Sequence, residues 1–181
     1  MKEFIRYEMM VHVPLCSHKD PKNILIISDT STKFEDEIQK HTGMEFDAVA
    51  CSLDALSKLD DAKYDVVISE IDSDALVTSQ INRILKEDGL IASGVTSLDN
   101  VAEAKKTIST LGQYAKIVMP FHIGGGKLAL LASKEYHPTA DLILQRSDML
   151  DGLEYYNCDV HIGAFAMGNY IRKEYLGVIK N

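Results

Sequence analysis

The 181 residues carry 46% hydrophobic and 25% charged side chains, a mixture typical of globular chains in the one-domain size range, so residues 1–181 are expected to form a single domain. No apolar run nears the roughly 18 residues needed to span a bilayer, and Lys2, Glu3, Arg6 and Glu8 interrupt the N-terminal stretch, which argues against an export signal. A net charge of −8 opposes binding to a phosphate backbone but is compatible with a cationic ligand; no nucleic-acid and no membrane partner is expected. Cys16, Cys51 and Cys158 are odd in number, far apart and in no C-x-x-C pattern, which speaks against a disulfide framework and against a zinc site. A cytoplasmic location and no metal follow as expectations.

Along the chain, short β-rich runs alternate with helical stretches, the pattern of a parallel sheet covered by helices. The first strand is expected at Ile24 to Ser28, a continuous apolar run suited to burial on both faces, followed by a helix over Thr32 to His41. A second strand is expected at Phe46 to Cys51 and a short helix around Leu53 to Leu59. Tyr64 to Ser69 reads as the third strand and Ala75 to Lys86 as the next helix, with Asp88-Gly89 as its stop. Leu90 to Val95 reads as a strand, and Ser97 as the cap of a helix running to Leu111 with Gly112 at its end. Lys116 to Met119, ended by Pro120, and Lys127 to Ser133 read as an antiparallel hairpin at a sheet edge. Helices near Ala140 to Leu150 and within Ala164 to Tyr175 complete the chain. Such a set predicts an α/β, Rossmann-like sheet of the S-adenosylmethionine-methyltransferase type, mostly parallel with a C-terminal antiparallel hairpin, whereas dinucleotide-binding dehydrogenase sheets stay parallel.

Glu70, Asp72 and Asp74 cluster just past a strand end, where open α/β sheets bind ligands. Carboxylates there can hold an ammonium and serve as a general base, or simply form a solvated loop that starts the next helix. His122, beside three glycines, reads either as a ligand-facing tip able to accept a proton or as a plain hairpin turn. Asp29, at the end of the first strand, is a nucleoside contact or a helix cap. His12 reads as a structural histidine, and Tyr155-Tyr156-Asn157 as aromatic packing with a capping asparagine.

Three stretches resemble the spermidine synthase (polyamine aminopropyltransferase) family. Tyr7 to Asp29 (YEMMVHVPLCSHKDPKNILIISD) is similar to the segment in which a Y-H-E-M-I helix and an A-H-V-P-L turn lead through an N-P-K loop into the first Rossmann strand, with Tyr7 and Glu8 in the register of Y-H-E. Ile84 to Ser93 (ILKEDGLIAS) is similar to an L-K-x-D-G-I strand entry shared by many methyltransferase folds. Leu153 to Phe165 (LEYYNCDVHIGAF) resembles the closing R-Y-Y-N-x-D-I-H-R-A-A-F motif, and is the strongest match. The resemblance implies a shortened member without the family's small N-terminal β-domain.

The departures from the family pattern bear on activity. A G-G-G-D-G-G loop, whose glycines let backbone approach the nucleotide, is replaced by Ser28-Asp29-Thr30-Ser31-Thr32. The acid that ends the family's second strand and accepts from the ribose is replaced by Ala50-Cys51-Ser52, with Asp54 the nearest substitute. Glu70 stands where the family's base is an Asp; its extra methylene moves the carboxylate by about an ångström, enough to cost catalysis. In the hairpin, His122 takes the place of a Tyr and Lys127 that of a Trp.

What the resemblance implies is transfer of an aminopropyl group from decarboxylated S-adenosylmethionine, as co-substrate, to putrescine or another small polyamine, with no resident cofactor. Glu70, Asp72 and His122 would be catalytic, and Ser28, Asp29, Ser31, Ser52 and Asp54 would face the nucleotide. A homodimer is expected. The alternative left open is a catalytically degenerate relative that keeps the scaffold for assembly or for binding a small molecule.

Overall fold

The computed structural model describes residues 2–181. Helix α1 (Phe4–Ser17) leads into β1 (Asn23–Ile27), followed by α2 (Thr32–Ile38), β2 (Glu45–Val49), α3 (Leu53–Ser57), β3 (Tyr64–Ser69), α4 (Ala75–Ile84), β4 (Leu85–Thr96) and α5 (Val101–Leu111). The hairpin β5 (Ile117–His122) and β6 (Leu128–Ser133) comes next, then three short helices, α6 (Leu144–Asp148), α7 (Cys158–Ala164) and α8 (Asn169–Glu174). The six strands form one sheet in the order β2-β1-β3-β4-β6-β5. Strands β1 to β4 pair in parallel, and β6 runs antiparallel to both of its neighbours. The expected mostly parallel sheet closed by an antiparallel hairpin is what forms.

Strand periodicity accounts for the two-sided core. Alternate residues of a strand point to opposite faces, so Ile24, Ile26, Val66 and Ile68 pack with α1 residues such as Met9, Met10 and Val13 and with Phe165. Leu25, Ile27 and Val67 pack on the other face with Val77, Ile81, Ile108 and Tyr175. Both β1 and β3 are buried on both faces, which is why each reads as an unbroken apolar run.

Several local expectations are corrected. The segment expected to turn at His12-Val13-Pro14 is instead continuous helix, with Pro14 inside α1; burial of Glu8 through Ser17 outweighs the backbone bond that a proline forfeits. Helix α4 stops at Ile84, and β4 begins at Leu85, carrying Asp88-Gly89 within an irregular entry where pairing with β3 jumps from Tyr64↔Leu85 to Val66↔Leu90. Asn100, not Ser97, caps α5 by accepting from the Glu103 amide. Pro120 does not end its strand: β5 continues to His122, which an edge position permits because the missing donor leaves no interior ladder broken. The C-terminal helices are shorter than expected, and Ala164 to Tyr175 divides between the end of α7 and α8.

Two buried carboxylates and histidines fasten this scaffold. Glu8, 2% exposed, accepts from the backbone amides of Glu154, Tyr155 and Tyr156 at 3.0, 2.9 and 2.8 Å, so the leading helix grips the closing segment directly. His12 is fully buried between His41 and Glu37, with Nε2 and Nδ1 each 2.9 Å from their partners. A carboxylate can only accept, so His12 donates from Nε2 to Glu37 and accepts at Nδ1 from His41. His12 is structural, as its sequence context predicts.

Candidate active site

Parallel α/β sheets expose a crevice beyond the carboxyl ends of their strands. Here a cleft of about 640 Å³ opens past the ends of β3 and β4 and runs along α5, within the range of small-molecule sites. Ser69 is the last residue of β3, and the Glu70 amide still donates to the Ile27 carbonyl at 2.9 Å; this extension of the β1–β3 ladder holds Glu70 at the cleft. Across it, β4 is irregular around Gly94, where a Cβ would lie 3.4 Å from the Ser69 carbonyl oxygen.

Ionic groups of the cleft are Glu70, Asp72, Asp74 and Glu103 against Arg6 and Lys106, so carboxylates outnumber cations by four to two. Low-dielectric walls focus such a field and attract cationic ligands. Hydroxyls of Ser73, Ser93, Ser97, Thr107 and Thr110 also line it, with the first two bonded to each other at 2.6 Å.

The acidic cluster is brought together as the sequence predicts, but its members do different things. Asp74 caps α4, accepting from the Val77 amide at 2.8 Å. No hydrogen bond or ion pair ties the Asp72 carboxylate to the described residues, and it is exposed at the cleft. Glu70 is occupied on both oxygens: the Arg6 guanidinium pairs with Oε1 and the Ser28 hydroxyl donates to Oε2. Arg6 was not among the residues singled out by sequence. Its neighbours Tyr7 and Glu8 carried the resemblance, and nothing local to α1 points to a partner 64 positions away.

The positions expected to face a nucleotide are for the most part bonded to the protein. Ser28 binds Glu70 and accepts from the Thr30 amide at 3.0 Å. Asp29 accepts from the Cys51 amide at 2.9 Å, tying the loops after β1 and β2 together; burial, with Asp29 nearby, pushes the Cys51 thiol up. Ser31 donates to Glu35 at 2.5 Å. Ser52 caps α3 by accepting from the Ala55 amide, and Asp54 pairs with Lys58 in solvent. His122, exposed at the end of β5, is not among the residues lining the cleft. The tip beyond it turns on Gly124, Gly125 and Gly126, all at positive φ.

Among the described residues one further cluster has metal-ligand chemistry: His18, Asp65 and Asp88. Its donors are committed elsewhere. Asp65 accepts from Lys86 and from the Lys22 and Asn23 amides, Asp88 accepts from the Tyr136 hydroxyl, and His18 Nδ1 accepts from the Asp20 amide. That bond leaves the neutral ring's proton on Nε2, the nitrogen facing Asp88 at 3.7 Å, so the set does not suit a metal.

Comparison with known proteins gives a consistent relationship. A family model described as the spermine/spermidine synthase domain matches residues 3–57. A polyamine aminopropyltransferase of Helicobacter acinonychis is 28% identical over 90% of this chain and 73% of its own length. One from Clostridium beijerinckii is 27% identical over 94% and 77%. In three dimensions, a spermidine synthase from Thermotoga maritima superposes with a TM-score of 0.82 at 23% identity, covering 95% of this chain and 74% of that one, which supports the shared methyltransferase-like fold.

Proposed function

From this chain's similarity to the spermine/spermidine synthase family, we propose that it is an aminopropyltransferase whose cleft at β3 and β4 binds putrescine or a similar small polyamine. The observation that carries this reading is the excess of carboxylates lining that cleft. In the reaction, the amine nitrogen attacks the methylene carbon beside the sulfonium of decarboxylated S-adenosylmethionine. The C–S bond breaks with its electron pair remaining on sulfur, methylthioadenosine leaves, and the proton shed by nitrogen passes to a carboxylate. Asp72, exposed and unbonded to the described residues, takes that proton directly; Glu70 takes it once it exchanges its present partners. Positioning of the two reactants supplies most of the acceleration in such a transfer. Ser28 and Asp29, at the end of β1, stand on the nucleoside side, and a homodimer belongs to the same reading.

A second reading, a polyamine-binding chain without transferase activity, is favoured by a specific observation. Both Glu70 oxygens are taken by Arg6 and Ser28, and the glycine-free loop at 28–32 is tied to the β2 loop by Asp29. A mass-spectrometric assay for methylthioadenosine and spermidine separates the two. Product from the wild-type chain, reduced at least a hundredfold by Asp72→Asn or Glu70→Gln, supports the transferase. Amine binding without product supports the second reading, and neither binding nor product refutes both. A light-scattering mass of one chain at high concentration refutes the homodimer.

A further inference from the structure

Arg6 is the third residue of α1, in its partly exposed first turn; from Glu8 onward the helix is buried. Its side chain lines the cleft and places a cation on Glu70, the carboxylate that leads the acidic cluster. Nothing in the local helix requires this. The guanidinium lies 5.8 Å from the Tyr7 ring and 5.9 Å from the Phe34 ring, so aromatic faces hold it above the cleft in the manner of a bound cation.

The grip on Glu70 is incomplete. Arg6 engages through Nη2 alone, while its Nε is buried without a hydrogen-bond partner. A guanidinium paired to carboxylate as a two-pronged fork satisfies both donors; this one leaves a donor orphaned, which weakens the contact relative to a full fork. Both partners keep some solvent contact, at 23% and 18% side-chain exposure. The pair is therefore closed but open to exchange with a cation arriving from the cleft.

We infer that Arg6 is a built-in competitor for the amine: its guanidinium occupies the carboxylate that a substrate ammonium has to reach, and amine binding displaces it. The inference rests on the amine-binding reading of the cleft. It makes Arg6 an affinity-determining residue that selects amines able to replace a guanidinium, with Asp72 as the first contact and Glu70 as the second. When a site is competent in only a fraction of molecules, apparent affinity falls by that fraction, so a pair closed about nine-tenths of the time weakens amine binding about tenfold.

The experiment is calorimetric titration of putrescine and spermidine into the full chain at low salt, comparing wild type with Arg6→Met and Arg6→Lys. Methionine keeps an unbranched stem against Tyr7 and Phe34 without the charge, and lysine keeps a cation. The expected result is binding at least about tenfold tighter in Arg6→Met, near wild type in Arg6→Lys, with the gain abolished by adding Glu70→Gln. Binding by Arg6→Met alone also supports the inference and marks the wild-type site as closed. Equal or weaker binding in a folded Arg6→Met, with wild type binding, overturns the competitor role and leaves the amine reading standing. Absence of binding in every variant overturns both.

Discussion

Replacing Glu8 tests whether its three backbone hydrogen bonds anchor the leading helix. Its Oε1 accepts from Glu154 and its Oε2 from both Tyr155 and Tyr156, at 2.8–3.0 Å, in a site 2% exposed. Hydrogen bonds to a charged acceptor contribute roughly 1.5–3 kcal/mol each, and a buried donor left unpaired costs about 1–3 kcal/mol. In Glu8→Gln the amide oxygen retains the two tyrosine donors, and the NH₂ faces the Glu154 amide, donor against donor; the loss is about 2 kcal/mol. Glu8→Ala frees all three amides, and because relaxation admits water to some of them the loss is about 4 kcal/mol rather than the full sum. Urea denaturation reads both. With a slope near 2 kcal/mol per molar, the midpoint falls by about 1 M in Glu8→Gln and about 2 M in Glu8→Ala. A Glu8→Gln midpoint within about 0.2 M of wild type would refute the triple-acceptor account, and equal losses in the two variants would refute the donor-against-donor argument.

Stability should fall below about pH 6.5, because burial first, then the neighbouring His12 ring and Arg146, holds His41 down to about 3, and burial holds His161 down to about 4. Burial also lowers His12 and His18. Such groups bind protons more weakly folded than unfolded, so the unfolded state gains protons as pH falls; the stability is intact above the unfolded value of 6.5 and lost below it. His41 and His161 alone give a slope of about 2 kcal/mol per pH unit between pH 6 and 4.5, measured as urea midpoint against pH; a flat profile from pH 7 to 5 contradicts it. Asn157→Ala removes the side chain that accepts from the Val160 amide at 2.9 Å at the start of α7, and should cost about 1 kcal/mol in the same melt; no loss would deny the cap. Gly124 and Gly126 share positive φ, but a Cβ at 124 would meet Ile5 Cγ2 at 2.5 Å while one at 126 meets nothing within 4 Å. Gly124→Ala should therefore cost more than Gly126→Ala, by about 1–3 kcal/mol; equal costs would disprove the Ile5 contact.

The apolar runs of β1 and β3, the α4 and α5 helices between strands and the glycine-rich hairpin tip were legible because each is written locally, as a periodicity of side chains or a residue type suited to a turn. The acidic cluster was legible for the same reason: Glu70, Asp72 and Asp74 fall within five residues directly after a strand. Boundaries at Ile84, Asn100 and Pro120 were not, because burial and edge position decide whether a local stop signal is obeyed. The state of the site was also out of reach of the sequence. Whether Glu70 faces an open cleft or a guanidinium depends on Arg6, 64 residues away, and whether Glu8 is a surface charge or an anchor depends on amides about 146 residues on. Sequence thus determined the sheet, the resemblance to a family and the carboxylates available; only the tertiary structure decided which of those carboxylates are already partnered, since ion pairs and caps between distant segments form by proximity that no local pattern encodes.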